Sequence, residues 1–409
     1  MNFLINSKYR YYRYILIVLF TLFVFKTTLR TINPVLQVLP ILMLIVFIVF
    51  LYVKILQNLI ISKNQIYIYI LLSYFSFLVL VYNFISIQHY TFTPYLGILQ
   101  YLIIPIFWFI FYENIKINKD SFFNLIVQII ISFALLNSFG AIIQYFISPD
   151  LFGTIQNNTY TASTMDELKQ HVTKRAISFI SSPQSLGLFL GLSFALVIIS
   201  AKKKSLKLGL ILFAGLLTGS KIFILFIFTF LSLNSLKNNK LLFFLSLSLI
   251  VPIILIFQND TLNRFIAIFS TMGNMSEYMT FLVWYSFVTY ETSTIQFLFG
   301  HGLGVITASS QLLYEYKILN GSAESYLIQL YFETGIIGLL LFLYLYIKSI
   351  LNFLQSKSNK QFAFILIALS ISLIGTPSFF GFINSLCFYS IIIFGFLHNK
   401  KEYQCNFQS

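Results

Sequence analysis

Five charged side chains fall in or beside long apolar runs, near the end of the helices opposite to most of the lysines: Arg175, Lys221, Arg264, Glu324 and Glu333. Together with one imidazole, His301, they are the residues that could do chemistry, because a charge in such a place needs a partner or a polar cavity. Arg175 lies in Lys174-Arg175-Ala176-Ile177-Ser178, before the Ser181-Ser182-Pro183-Gln184 that opens an apolar run. Its planar fork of donors suits phosphate oxygens, with snorkelling toward lipid headgroups as the plainer role. Lys221 closes Leu217-Thr218-Gly219-Ser220-Lys221, where small and hydroxylic residues interrupt two short apolar runs. It is either the positive edge of a polar cavity or the mark of a turn at the membrane surface. Arg264 follows Asp260 by one helical turn, so it is a second anion ligand or half of an exposed ion pair of little value.

The acids and the imidazole offer the complementary chemistry. Glu324, in Gly321-Ser322-Ala323-Glu324-Ser325-Tyr326, stands at the mouth of an apolar run. Partial desolvation there would raise its pKa toward that of a general base, while a first-turn acid stabilised by the helix dipole is the ordinary alternative. Glu333 lies nine residues deeper, followed by Thr334-Gly335-Ile336-Ile337-Gly338. An embedded acid is costly, and its expected role is structural: anchoring a basic or hydroxyl group of a neighbouring helix, with Gly335 and Gly338 permitting close approach. His301, in Phe299-Gly300-His301-Gly302-Leu303-Gly304, has no strand before it, so its glycines are not a dinucleotide fingerprint; it is a titratable group in an external loop.

The elements that must position these groups are set by composition. Of 409 residues, 58% are hydrophobic and 9% charged, against about a quarter charged in a soluble domain, which excludes a soluble globular protein. The pattern predicts an all-α, polytopic membrane protein with about twelve spans near 14–31, 35–53, 66–85, 95–112, 122–147, 183–200, 206–218, 221–236, 241–257, 323–347, 361–376 and 379–397. The 206–236 region reads as one hairpin or one interrupted helix. The first span lacks a small-residue cleavage site and reads as uncleaved. Placing the N-terminus inside puts most of the lysines and arginines, among them Lys202, Lys203, Lys204, Lys348, Lys400 and Lys401, on the cytoplasmic side, with both termini there. The net charge of +14 is then largely an orientation signal, and a nucleic-acid partner is not expected. Cys387 and Cys405 have no paired spacing, so neither a disulfide framework nor a metal site is expected.

The organisation expected is N-terminal spans over 1–147, a first external loop at 148–182, central spans over 183–257, a larger external loop at 258–322, C-terminal spans over 323–397 and a tail at 398–409. Loops of such length are usually functional. Thr164-Met165-Asp166-Glu167 has capping-box spacing for a helix through Lys174, and Leu262 to Met272 and Glu277 to Val288 carry helical spacing, with Ser276 as a cap. These short helices are expected on the outer membrane face.

Four segments in order, Arg175 to Leu190, Leu217 to Lys221, Phe299 to Gly304 and Ala323 to Gly338, together resemble the O-antigen polymerase and ligase superfamily, the Wzy-type polysaccharide polymerases. The resemblance covers about 175–345. It implies a metal-independent glycosyltransferase without cofactor in a bacterial cytoplasmic (inner) membrane, active on the extracytoplasmic face, with a polyprenyl-pyrophosphate-linked oligosaccharide as donor. Membrane lipids, and a chain-length regulator, are the other partners it implies. Arg175, Lys221 and Arg264 would bind the pyrophosphate leaving group, and Glu324 or His301 would take the acceptor's proton. The chain departs from the family pattern in having Lys221 where Arg is frequent, and in lacking an Arg a few residues before Trp284. Glu324 stands where ligases typically carry His, which tilts the expectation toward O-antigen or capsular polymerase. A ligase moving finished glycan to another acceptor is the nearest rival. A non-enzymatic flippase is the rival of another class, and it would line a midplane cavity with charge.

Overall fold

The computed structural model describes residues 10–32, 39–56, 70, 73–74, 77–78, 103–114, 119–147, 176–180, 182–200, 205–238, 287, 290, 293–302, 325–356, 359–375 and 381–397. All regular structure among them is helical. In chain order the helices are α1 (Arg10–Val24), α2 (Lys26–Ile32), α3 (Leu39–Leu56), α4 (Ile104–Asn114), α5 (Lys119–Phe146), α6 (Pro183–Ser200), α7 (Ser205–Leu217), α8 (Lys221–Asn238), α9 (Thr294–Phe299), α10 (Tyr326–Gln355), α11 (Lys360–Gly375) and α12 (Phe382–Leu397). Three stretches, Phe122–Phe146, Pro183–Ser200 and Tyr326–Gln355, are long and apolar enough to cross a membrane. Among the other helices α7, with 13 residues, reaches about 20 Å at 1.5 Å per residue, short of a hydrocarbon core of about 30 Å. Apolar helices of this kind fit a membrane-embedded protein. The span expected at 241–257 and the short helices expected at 164–174 and 262–272 lie outside the described residues.

The chain forms two compact units, one of 1–47 with 117–264 and one of 48–116 with 265–409. At the centre of the first stands α6, buried continuously from Ser185 to Val197 because it is apolar all round and has α5, α7 and α8 beside it. Small residues set these distances. A Cβ on Gly191 would lie 3.1 Å from the Phe226 ring, and one on Gly187 would lie 2.5 Å from Ser220 Cβ, so α8 and the turn before it lie directly on α6. On α7, Gly215 holds the ring of Phe223, whose nearest atom would be 2.0 Å from a Cβ. The expected first span is divided at Phe25 into α1 and α2, although Phe25 N–H to Thr21 O (3.0 Å) and Leu29 N–H to Phe25 O (2.8 Å) carry the helical bonding across.

In the second unit α12 is buried along nearly its whole length and packs with α4 and α10. With no water available at that depth, side chains reach across to carbonyls of neighbouring helices. Trp108 Nε1 donates to Leu386 O at 2.9 Å, Tyr112 Oη to Ser390 O at 3.1 Å and Ser349 Oγ to Ile392 O at 2.6 Å. Asn352 Nδ2 donates to both Gly395 O and Phe396 O, at 2.9 and 3.2 Å. α10 runs eight residues beyond the expected end at 347. Lys348 makes this tolerable by lying back along the helix: its Nζ donates to Tyr344 Oη at 3.0 Å and stands 5.1 Å from the Phe396 ring centre.

Candidate functional site

In the first unit the break between α7 and α8 is a three-residue turn, Thr218-Gly219-Ser220, and Lys221 is the first residue of α8. The turn closes because Gly219 adopts φ 57°, a conformation open to glycine at little cost. Thr218 Oγ1 donates to Gly215 O at 2.6 Å and accepts from Ser220 N–H at 3.2 Å, so the hydroxyl satisfies both sides of the break. Ser220 is buried, and its Oγ has no hydrogen-bond partner among the described residues.

Its neighbour is the start of α6. There Pro183 occupies the first helical position, where a missing N–H costs nothing, and Ser182 Oγ caps the helix by accepting from Ser185 N–H at 3.1 Å. Because Gly187 lacks a Cβ, Ser220 sits against the second turn of α6. The residues just after Arg175 join the same construction. Ala176 N–H donates to Leu217 O at 3.0 Å, and Gln144 Oε1 on α5 accepts from both Ile177 N–H (2.9 Å) and Ser178 N–H (2.7 Å). Ser178 is held at φ 51°, seated where Gly140 leaves room: a Cβ there would be 2.5 Å from Ser178 Oγ. Losing the Gln144 oxygen would leave two buried backbone donors unbonded, at about 1–3 kcal/mol each. The Thr218 and Ser182 protons are committed to Gly215 O and Ser185 Oγ, so two helix starts, the Ser220 hydroxyl and Lys221 make the place suited to a multiply charged anion. Arg175 itself, Arg264 and Glu324 lie outside the described residues.

In the second unit the expected span at 323–347 is not a continuous helix. α10 is interrupted at Gly335 (φ 67°, ψ −174°), a conformation almost reserved to glycine. Such a break frees the carbonyls of the turn before it, and in an apolar setting each must find a donor. All three do. Phe332 O accepts from His301 N–H at 2.8 Å, Glu333 O from Gly302 N–H at 3.2 Å, and Thr334 O from the Tyr74 hydroxyl. The approach is main chain to main chain: a Cβ on Gly335 would lie 2.3 Å from Leu298 O, and one on Gly300 (φ 82°) 2.4 Å from Glu333 C and O. Gly335 therefore serves as a helix break closed by the 298–302 loop, and Gly338 is approached by Thr334 Oγ1 of its own helix and by the Tyr74 hydroxyl at 3.3 Å. Gly335 thus admits the end of α9 at close range, as expected of a small residue in this place, but it does so at a break in α10 rather than on a continuous helix face.

The loop is delivered by α9, which begins with a capping box: Ser293 Oγ accepts from Gln296 N–H, and Gln296 Oε1 from Ser293 N–H. The Ser-x-x-Gln spacing is a signal in the sequence that the apolar pattern around it hides. His301 lies flat on Phe332, ring centres 3.9 Å apart, with Tyr290 edge-on at 5.4 Å. Its Nδ1 is 3.2 Å from Phe332 O, and a carbonyl accepts only from an N–H, so the proton sits on Nδ1 and the lone pair on Nε2. Burial lowers the imidazole pKa, opposed in smaller measure by that bond to Phe332. Nε2 is covered and has no hydrogen-bond partner among the described residues. The tautomer leaves the basic lone pair on Nε2. Glu333 is fully buried, and its Oε1 accepts from Gln329 Nε2 of its own helix at 3.1 Å, so this partner is an amide one turn back.

No cluster of potential metal ligands occurs among the described residues. No protein-family model, curated protein or solved structure matches the chain.

Proposed function

We propose that the chain is an integral-membrane glycosyltransferase of about twelve spans, which polymerises polyprenyl-pyrophosphate-linked oligosaccharide repeat units into O-antigen or capsular polysaccharide. It works at the extracytoplasmic face of a bacterial cytoplasmic membrane. The observation that carries this reading is the start of α8: Lys221 heads a helix, and Ser220 just before it lies against Gly187 in the second turn of α6, a setting for pyrophosphate oxygens in a largely apolar chain.

In the reaction, a hydroxyl oxygen at the non-reducing end of the incoming unit attacks the anomeric carbon at the reducing end of the growing chain. The bond from that carbon to the pyrophosphate oxygen breaks, and polyprenyl pyrophosphate leaves with the electron pair. Lys221, with Arg175 and Arg264, stabilises the charge gathering on the leaving group. The acceptor's proton goes to Glu324 or His301; for His301 the support is the Nδ1–H tautomer, which leaves Nε2 as the basic nitrogen. Attack from the face opposite the leaving group inverts the anomeric centre.

The test is deletion of the gene in its host, followed by separation of surface glycan and lipid-linked intermediates by size. Loss of long polymer, with single repeat units still reaching surface acceptors or lipid, is the expected result. Long lipid-linked chains lacking a final acceptor would assign ligase chemistry instead, and single units held on the cytoplasmic face would overturn the glycosyltransferase reading in favour of a flippase.

A further inference from the structure

We infer that Gln144, in the last turn of α5, is a positioning residue for the anion site headed by Lys221, acting through the segment 176–178 and the end of α7. The inference rests on the reading of Lys221 as a pyrophosphate ligand and adds to it a residue that touches no substrate.

The side chain is almost wholly buried, and one oxygen takes two consecutive backbone N–H groups, those of Ile177 and Ser178, at 2.9 and 2.7 Å. Two convergent bonds to one acceptor fix both the distance and the rotation of a short peptide segment. The same segment is held from the α5 side a second time, by Ser178 lying where Gly140 has no Cβ, and the backbone of Ser178 is kept at φ 51°. From there the construction passes to α7, because Ala176 N–H donates to Leu217 O at 3.0 Å. Leu217 is the last residue of α7, and only the turn 218–220 separates it from Lys221. That turn has no slack, with Thr218 Oγ1 bonded on both sides and Ser220 packed against Gly187.

A glutamine in this place does what an apolar residue cannot. A helix end is free to fray and rotate, and an ammonium at its edge then samples many positions relative to its ligand. Tying the carbonyl of Leu217 through Ala176 and Ile177 to the last turn of α5, which the Ile147 N–H to Ile143 O bond extends, removes that freedom before the anion arrives. Two main-chain N–H groups that would otherwise need water are satisfied by the same oxygen, so the tie persists in an apolar setting. A residue that only filled space in α5 would need neither the amide nor the two aligned bonds.

The experiment uses the purified full-length protein in detergent and measures binding of polyprenyl pyrophosphate without sugar, for wild type, Lys221→Ala, Gln144→Met, the double variant, Gln144→Glu and Gly140→Ala. Lys221→Ala is expected to weaken binding about tenfold, and Gln144→Met, which keeps the length and loses the acceptor, by a similar factor. The double variant binds no worse than Lys221→Ala alone, because Gln144 acts through Lys221. Gln144→Glu keeps an acceptor oxygen and restores binding. Gly140→Ala, which leaves Gln144 in place and displaces Ser178, also weakens binding and serves if Gln144→Met does not yield folded protein. If Lys221→Ala weakens binding while Gln144→Met and Gly140→Ala bind as wild type, or if the double variant loses the product of the two single losses, the positioning role is overturned and the anion site stands. If Lys221→Ala binds as wild type, the pyrophosphate site falls and the role of Gln144 with it.

Discussion

Replacing Gly335 with alanine tests whether the interruption of α10 is built as described. An alanine there must adopt φ near 67° with ψ near 180°, which costs about 1–3 kcal/mol in any setting. Its Cβ would also stand 2.3 Å from Leu298 O, a main-chain atom that cannot swing aside as a side chain would. The 298–302 loop must therefore withdraw, giving up the bonds from His301 N–H and Gly302 N–H, each of about 1 kcal/mol net. The sum is about 3–5 kcal/mol, and at about 2–4 °C per kcal/mol for a unit of this size the melting temperature should fall by roughly 6–20 °C. Trp108 is buried in the second unit, so its fluorescence, read in detergent-purified protein on a Trp284→Phe background, follows that unit through its transition. Gly300→Ala should act from the other side of the same contact, and the double variant should lose clearly less than the two single losses together, since the loop can withdraw only once. A fall of less than about 2 °C for both single variants would mean that the loop does not lie against the break.

Elsewhere on the helices, glycines should separate by surroundings. Gly215→Ala meets the Phe223 ring and should lower the helical circular-dichroism transition by an overpacking cost of about 1–3 kcal/mol. Gly209→Ala, with nothing within 4 Å, should raise it by up to about 1 kcal/mol through helix propensity. For activity, Lys221→Arg should preserve polymer length on gels of surface glycan, whereas Lys221→Ala, losing a charged hydrogen bond of about 1.5–3 kcal/mol, should reduce turnover at least about tenfold. An unchanged ladder in Lys221→Ala would remove that side chain from the reaction. His301 has a lowered pKa in the folded chain, so the unfolded chain binds its proton more readily; stability from this residue is present above the ordinary imidazole pKa of about 6.5 and is lost as pH falls toward the folded value. The melting temperature should therefore fall less between about pH 7 and pH 5 in His301→Phe than in wild type, and equal pH dependence would show that the imidazole is not buried as described.

Local composition carries the legible part of the fold. Apolar length places α5, α6 and most of α10, and Thr218-Gly219-Ser220 declares a break between two runs because glycine and hydroxyl residues leave carbonyls that need local partners. Lys221 stands out for the same reason. The interruption at Gly335 is illegible: Gly-Ile-Ile-Gly inside an apolar run has the look of a helix-packing face, and only contact with Leu298 and Gly300, more than thirty residues earlier, turns it into a break. Gln144 is equally hidden, because one amide in a span has no sequence neighbour that reveals its partners, which lie 33 and 34 residues away. Lys348 has the look of a helix end and instead lies within α10, since a long aliphatic stem lets a charge travel along the helix to Tyr344.

The closure of α10 is written in main-chain atoms, and that separates two things usually entangled in one loop. Between Leu298 and Gly302 two of the donors to α10 are peptide N–H groups, and the requirements on residue type are the missing Cβ at Gly300 and Gly335 and the positive φ of Gly302 (108°). The imidazole of His301 adds a third bond, from Nδ1–H to Phe332 O, and a ring stacked on Phe332, but the peptide donors at 301 and 302 are independent of its side chain. A library that varies position 301 alone would therefore keep the main-chain fastening and change only the side-chain contribution laid over it.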